Sequence, residues 1–253
     1  MTENLDFDEW TDALHAALRA REGAAGLVLL GSTVAAHRRD EWSDHDFFAL
    51  AAPGRGAELR AVEEWLPFPE RCVLVAREGE IGFAAVYDDG HVAEFAAATA
   101  DELAGALVTG DSAIAFDDGP AAGLVAAARA RVEAVTIDPV NEARLVLVKL
   151  LIGVGRARRG ERLAAGHFVR SWALECFVRV VRARIPVADS VRDAIDPVRR
   201  FERDYPELAA QLDEVLAAPV EEAGRGLFEL FRETLDVPGR IVGDAVVGRR
   251  PSF

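Results

Sequence analysis

The stretch Leu27-Val28-Leu29-Leu30-Gly31-Ser32, followed twelve residues after the serine by Asp44-His45-Asp46-Phe47-Phe48-Ala49-Leu50, decides how this chain is read. An apolar run of strand length ends in Gly-Ser. A short segment suited to one helix follows, and a second apolar strand then opens with two aspartates. Strand side chains alternate between faces, so Asp44 and Asp46 point the same way. Two carboxylates on one face repel each other unless a hard cation sits between them. Mg2+ is the natural occupant, because it favours oxygen ligands and commonly binds through one or two carboxylates plus substrate phosphates. Gly31 lets the backbone approach a ligand closely. A helix starting just after it would aim N–H groups and a positive dipole end at an anion such as a triphosphate. Gly31 and Ser32 are therefore candidate nucleotide-binding residues.

This pattern resembles the signature of the polymerase-β-like nucleotidyltransferase superfamily. The local string Asp40-Glu41-Trp42-Ser43-Asp44-His45-Asp46 is most similar to its aminoglycoside and lincosamide branch, the kanamycin nucleotidyltransferase-like enzymes. Members add a third carboxylate from a later strand. Gly90-His91-Val92-Ala93-Glu94-Phe95-Ala96 supplies one, with Glu94 centred among uncharged residues. The resemblance implies Asp44 and Asp46 as metal ligands and Glu94 as a third ligand or as the base. One departure stands out: many relatives carry a small-Arg-Gly triplet between Gly-Ser and the aspartates. This chain has Val34-Ala35-Ala36 there and places its bases at His37, Arg38 and Arg39. Which of these meets a phosphate stays open. His45, on the opposite face from the aspartates, reads as a packed or surface histidine.

Around this unit, residues 5–22 read as an amphipathic helix with Leu5, Trp10, Leu14 and Leu18 on one stripe. Pro53-Gly54-Arg55-Gly56 marks a turn, and Ala57 to Leu66 a helix stopped by Pro67 and Pro69. Strands are expected at Cys72–Ala76, Ile81–Tyr87 and His91–Ala97, the last two joined by the hairpin turn Asp88-Asp89-Gly90. Thr99 is a candidate N-cap for a short helix beginning at Asp101. Ser112–Phe116 reads as a final strand, and residues 120–134 as an alanine-rich helix.

Thr136-Ile137-Asp138-Pro139 is the best domain boundary, since the residue before proline avoids helix. Beyond it helices are expected at 140–159, 161–184, 190–200, 205–217 and 219–235, with a loose tail at Arg249 to Phe253. The expected class is α+β: a small mixed-sheet nucleotidyltransferase domain over residues 1–137, then a helical bundle over 138–253 that binds substrate. Glu142 and Lys149 are seven apart and share a helix face. In relatives of the kanamycin type the first bundle helix offers a glutamate as base and a lysine to the phosphates, which makes this pair the counterpart by resemblance. Arg162 and His167 fit the Arg-x4-His spacing of helical ribonuclease toxins of the HEPN type. That pattern carries little information in an arginine-rich chain.

The net charge of −14, from 29 basic and 43 acidic residues, argues against a general nucleic-acid binder and suits a cationic partner. Cys72 and Cys176 are too few for a disulfide framework and lack zinc spacing. The N-terminus has no signal pattern, and Leu145 to Val154 is too short to span a bilayer, which leaves a cytoplasmic location. No GxxxxGK or GxSxG motif is present. The function expected from the resemblance is Mg2+-dependent transfer of a nucleoside monophosphate, AMP from ATP in first place, to a hydroxyl of a small molecule such as an aminoglycoside or lincosamide antibiotic, conferring resistance. Alternatives are a nucleotidyltransferase acting on a protein or RNA end, and an inactive nucleotide-binding module. Some relatives build the site across two subunits, so a homodimer is compatible with the resemblance.

Overall fold

The structure is a computed structural model and describes residues 4–235; the tail at Arg249–Phe253 lies outside the described residues. The chain divides into two compact units, Met1–Val135 and Thr136–Phe253.

In the first unit, α1 (Phe7–Ala20) starts where the Asp6 carboxylate accepts the Glu9 amide at 2.9 Å. Its stripe of Trp10, Leu14 and Leu18 is fully buried. The strands are β1 (Ala24–Leu30), β2 (His45–Ala51), β3 (Cys72–Glu78), β4 (Gly82–Tyr87), β5 (Val92–Thr99) and β6 (Ser112–Asp117). They form one mixed sheet in the order β3-β4-β5-β2-β1-β6. All neighbours are antiparallel except β2 and β5, which run parallel and pair Asp46 with Glu94. A parallel pair needs a crossover, and the β3–β4 hairpin provides it.

Alternation then sorts the side chains. Phe47, Ala49 and Ala51 of β2, with Ala93, Phe95 and Ala97 of β5, pack into the core that holds α1. Leu50, Ala96 and Ala98 pack on the other face with Leu124, Val125 and Ala128 of α3 (Ala121–Glu133). Phe47 and Phe95 stack at 4.7 Å between ring centroids.

Three expected helices are not formed and a fourth is cut short. After Gly31-Ser32 there are two short 3-10 turns, Gly31–Thr33 and Ala36–Arg38, because the segment is tied back to the strands at several points. The 57–66 helix is reduced to α2 (Gly56–Leu59) and a 3-10 turn at Val62–Glu64; the Trp65 indole takes the Leu59 carbonyl at 2.8 Å and so ends α2. At Thr99 the capping pattern exists, with the Thr99 hydroxyl accepting the Glu102 amide and the Glu102 carboxylate accepting the Thr99 amide. The chain nevertheless stays in turns, with Leu103 and Val108 buried against the α3 side of the sheet. Residues 190–200 form successive Asx turns instead of a helix: Asp193 accepts the Ile195 and Asp196 amides, and Asp196 those of Val198 and Arg199.

The second unit holds no strand among its described residues. Its first helix, α4 (Pro139–Arg158), opens at Asp138, whose carboxylate accepts the Val140 and Asn141 amides ahead of Pro139 in the first turn. It closes at Gly160, in the left-handed region at φ +84°, where the Glu161 amide reaches the Arg156 carbonyl and the Gly160 amide that of Ala157. α5 (Arg162–His167), a π-helical segment (Phe168–Ala173) and α6 (Leu174–Arg184) follow in direct succession. α7 (Phe201–Asp204), α8 (Pro206–Ala217) and α9 (Val220–Leu235) complete the unit. Val146, Leu150 and Val154 of α4 meet Val169, Phe177, Val181, Leu227 and Phe231 in its core. Among the described residues no helix is long and apolar enough to cross a membrane.

Candidate metal centre

Asp44, Asp46 and Glu94 converge at the end of the sheet where β2 and β5 begin, and carboxylate oxygens from all three lie within 4.8 Å of one another. Sequence and topology together bring this about. Asp44 precedes β2 and Asp46 lies one residue inside it, which gives them the same face. The parallel pairing of β2 with β5 places Glu94 directly beside Asp46 on that face. Asp44 and Asp46 are half-buried and Glu94 is exposed. Three negative charges at this separation repel one another, whereas a hard divalent cation among them would be met by three oxygen donors of the kind it prefers. The donor set fits such an ion.

The Gly31–Thr33 turn sits against this cluster. Gly31 has φ +55°, and a Cβ built on it would lie 3.0 Å from Asp46 Oδ2. Only glycine meets both conditions without strain. Its amide donates to the Asp111 carbonyl at 2.9 Å. The Ser32 hydroxyl donates to the Asp44 carbonyl at 3.1 Å. Gly31→Ala is expected to cost about 1–2 kcal/mol of stability from the left-handed backbone alone, read by urea denaturation. Gly110→Ala, with open space around its Cβ position, is the control and should change little.

On the reverse face His45 is fully buried. Its ring stacks on Phe7 at 3.6 Å, Nε2 hydrogen-bonds with the Thr11 hydroxyl at 2.8 Å, and Nδ1 with His91 Nε2 at 2.9 Å. Burial, reinforced by His91, pushes its pKa down to about 3, so the imidazole is neutral. It is a packed histidine, as its alternation predicts.

The three bases after the turn have distinct fates. Arg38 pairs with Asp111 at 2.5 Å; Arg39 pairs with Asp8 at 2.7 Å and donates to the Thr33 carbonyl at 3.2 Å; His37 is exposed. Thr33, which the sequence did not single out, is buried, and its hydroxyl accepts the Asp46 amide at 3.1 Å. A polar residue two positions after Gly31 is too weak a signal for sequence to use.

The remaining candidates belong to the second unit, while the acidic cluster is built wholly from the first. Glu142 is half-buried on α4 and pairs with Arg179 at 3.5 Å; burial and this carboxyl push the neighbouring Cys176 thiol up to about 11. Lys149 Nζ lies over the Trp172 and Phe168 rings, at 5.1 and 5.7 Å from their centroids. Arg162 and His167 are exposed, and the His167 ring packs edge-on to Trp172 at 4.5 Å.

No family model matches the chain, and no curated protein matches it. Among solved structures it is similar to an aminoglycoside 6-adenyltransferase from Bacillus subtilis, over 98% of this chain and 94% of that one, at 11% identity and a TM-score of 0.32. A likeness of that degree assigns this chain neither an activity nor a substrate.

Proposed function

We propose that this chain is a divalent-metal-dependent nucleotidyltransferase. The observation that carries the proposal is the convergence of Asp44, Asp46 and Glu94 beside the Gly-Ser turn. In this proposal Asp44 and Asp46 hold Mg2+, and Glu94 is a third ligand or the base. The ion supplies charge neutralisation for a bound triphosphate and stabilisation of the attacking and leaving oxygens. A hydroxyl oxygen of the acceptor attacks the α-phosphorus, the bond to the β-phosphate oxygen breaks, pyrophosphate leaves, and the hydroxyl proton passes to a carboxylate, Glu94 or Glu142. Gly31, by bringing the backbone against Asp46, and Ser32 form the turn side of the nucleotide site. Lys149 is proposed, by the resemblance, to meet a phosphate. The first unit is then the catalytic domain and the second a substrate-binding domain.

For the substrates, the resemblance favours ATP as donor of AMP and a small-molecule hydroxyl, of the aminoglycoside or lincosamide class, as acceptor. The experiment is a pyrophosphate-release assay with each nucleoside triphosphate over a panel of aminoglycosides, lincosamides, proteins and RNA, with and without Mg2+. The expected result is Mg2+-dependent release that needs one of the small molecules. Release only with a protein or RNA moves the acceptor class, and no release above that of an Asp46→Asn control rejects the enzyme.

A further inference from the structure

A carboxylate can hold a small ion in strict geometry only if its own backbone is fixed, and Asp46, near the start of β2, is paired with Leu30 on one side and Glu94 on the other. The loop adds a further tie to this position. The Asp46 amide donates to the Thr33 hydroxyl at 3.1 Å, and the Thr33 carbonyl accepts from Arg39 Nη2 at 3.2 Å. Thr33 is 6% exposed, so this hydroxyl is shielded from competing water. Arg39 is held in turn on two sides: its Nη1 pairs with Asp8 at 2.7 Å, and its guanidinium lies 4.1 Å over the Phe7 ring. Phe7 itself stacks on His45, the residue between the two aspartates. The first turn of α1, the loop and the start of β2 thus close a ring of contacts around Asp46.

From this geometry we infer that Thr33 is a positioning residue for Asp46, and that Arg39 acts through Thr33, the pair standing in for a direct bond to the metal ligand. The inference rests on the metal reading of the acidic cluster. Partners one shell behind a metal ligand fix its orientation, and their loss costs about 10–100-fold in metal affinity. Neither Thr33 nor Arg39 needs to touch substrate for this.

The test is Mn2+ binding to the full chain, followed by electron paramagnetic resonance with the metal alone as probe, beside thermal unfolding in chelator. Thr33→Val keeps the shape and removes the acceptor; Thr33→Ser restores the hydroxyl; Arg39→Ala removes the clamp and leaves Thr33 in place. The expected result is an affinity about tenfold weaker in Thr33→Val and Arg39→Ala, with Thr33→Ser close to wild type. If Thr33→Val is too unstable to assay, Arg39→Ala and Thr33→Ser decide the matter. Wild-type affinity in Thr33→Val or Arg39→Ala, while Asp46→Asn has lost binding, overturns the positioning role and leaves the metal site standing. Absence of Mn2+ binding in the wild type overturns the metal site, and the positioning role with it.

Discussion

Asp46→Asn is expected to lower Mg2+-dependent pyrophosphate release about a thousandfold and to leave the metal-free protein at least as stable as the wild type. The two halves of this prediction have one cause. A metal that neutralises a triphosphate contributes several kcal/mol to the transition state, and at 1.36 kcal/mol per decade a loss of about 4 kcal/mol is about three decades in rate. Without metal, however, the three carboxylates within 4.8 Å of one another repel, so removing one charge relieves the folded state. Mg2+ should therefore raise the unfolding midpoint of the wild type by mass action and have little effect on the variant. Steady-state assays with paired thermal scans, with and without Mg2+, check both halves. A variant that keeps its activity, or one that unfolds early in chelator, would show that Asp46 serves packing and not an ion.

Asp204→Ala is expected to destabilise the second unit by about 3–5 kcal/mol, the usual cost of stranding one member of a buried ion pair. The side chains of Arg182 and Asp204 are 5% and 3% exposed. Arg182 also donates to the carbonyls of Pro197 and Arg199, and Asp204 accepts from the Ser190 hydroxyl and the Val191 amide. The pair therefore gathers the 186–200 segment onto α6 and α7. Loss of the carboxylate leaves a shielded guanidinium with two carbonyls and the Phe201 and Tyr205 rings as partners, but without its counter-charge. Hydrogen exchange of α6 peptides should accelerate by about two to four orders of magnitude.

The pH dependence follows from the same residue. Burial alone would raise the Asp204 pKa, but hydrogen bonds from Ser190, Arg182 and the Val191 amide outweigh it and hold the carboxyl below its usual range. A depressed folded-state value contributes stability that is complete above the unfolded value of about 3.9 and is lost as pH falls through the lower folded value. The gap between wild type and variant should thus be constant near neutrality and close only below about pH 4.

Where periodicity and chemistry agreed, sequence was enough. The six strands and the helices α1, α3, α4, α8 and α9 follow from alternation, stripes of apolar residues and proline or glycine stops. The acidic cluster was legible because Asp-x-Asp forces one face and a hairpin returns Glu94 to the neighbouring position. Two of the failures, at 57–66 and 190–200, share a different cause, in which side chains compete with the backbone ladder. The Trp65 indole and the Asp193 and Asp196 carboxylates each satisfy a main-chain group that a helix would have used or capped. Such bonds depend on partners distant in sequence, or on a local choice between two conformations of similar energy. The helix-end argument for Gly31 fails because the segment turns back in two 3-10 turns; the glycine itself is left-handed and lies against Asp46.

The alternation of Asp44, His45, Asp46 and Phe47 also guards the alignment of the central strand. A slide of β2 by a single residue would turn both aspartates into the apolar layer beneath α1 and bring the imidazole and a phenyl ring out to the open side. Burying unpaired carboxylates costs several kcal/mol each, so the mis-threaded sheet is penalised far more heavily than in a strand with two bland faces. The charges proposed for chemistry thus also act as a lock against misfolding, and neutralising both of them should make slipped pairings accessible that the wild-type chain never visits.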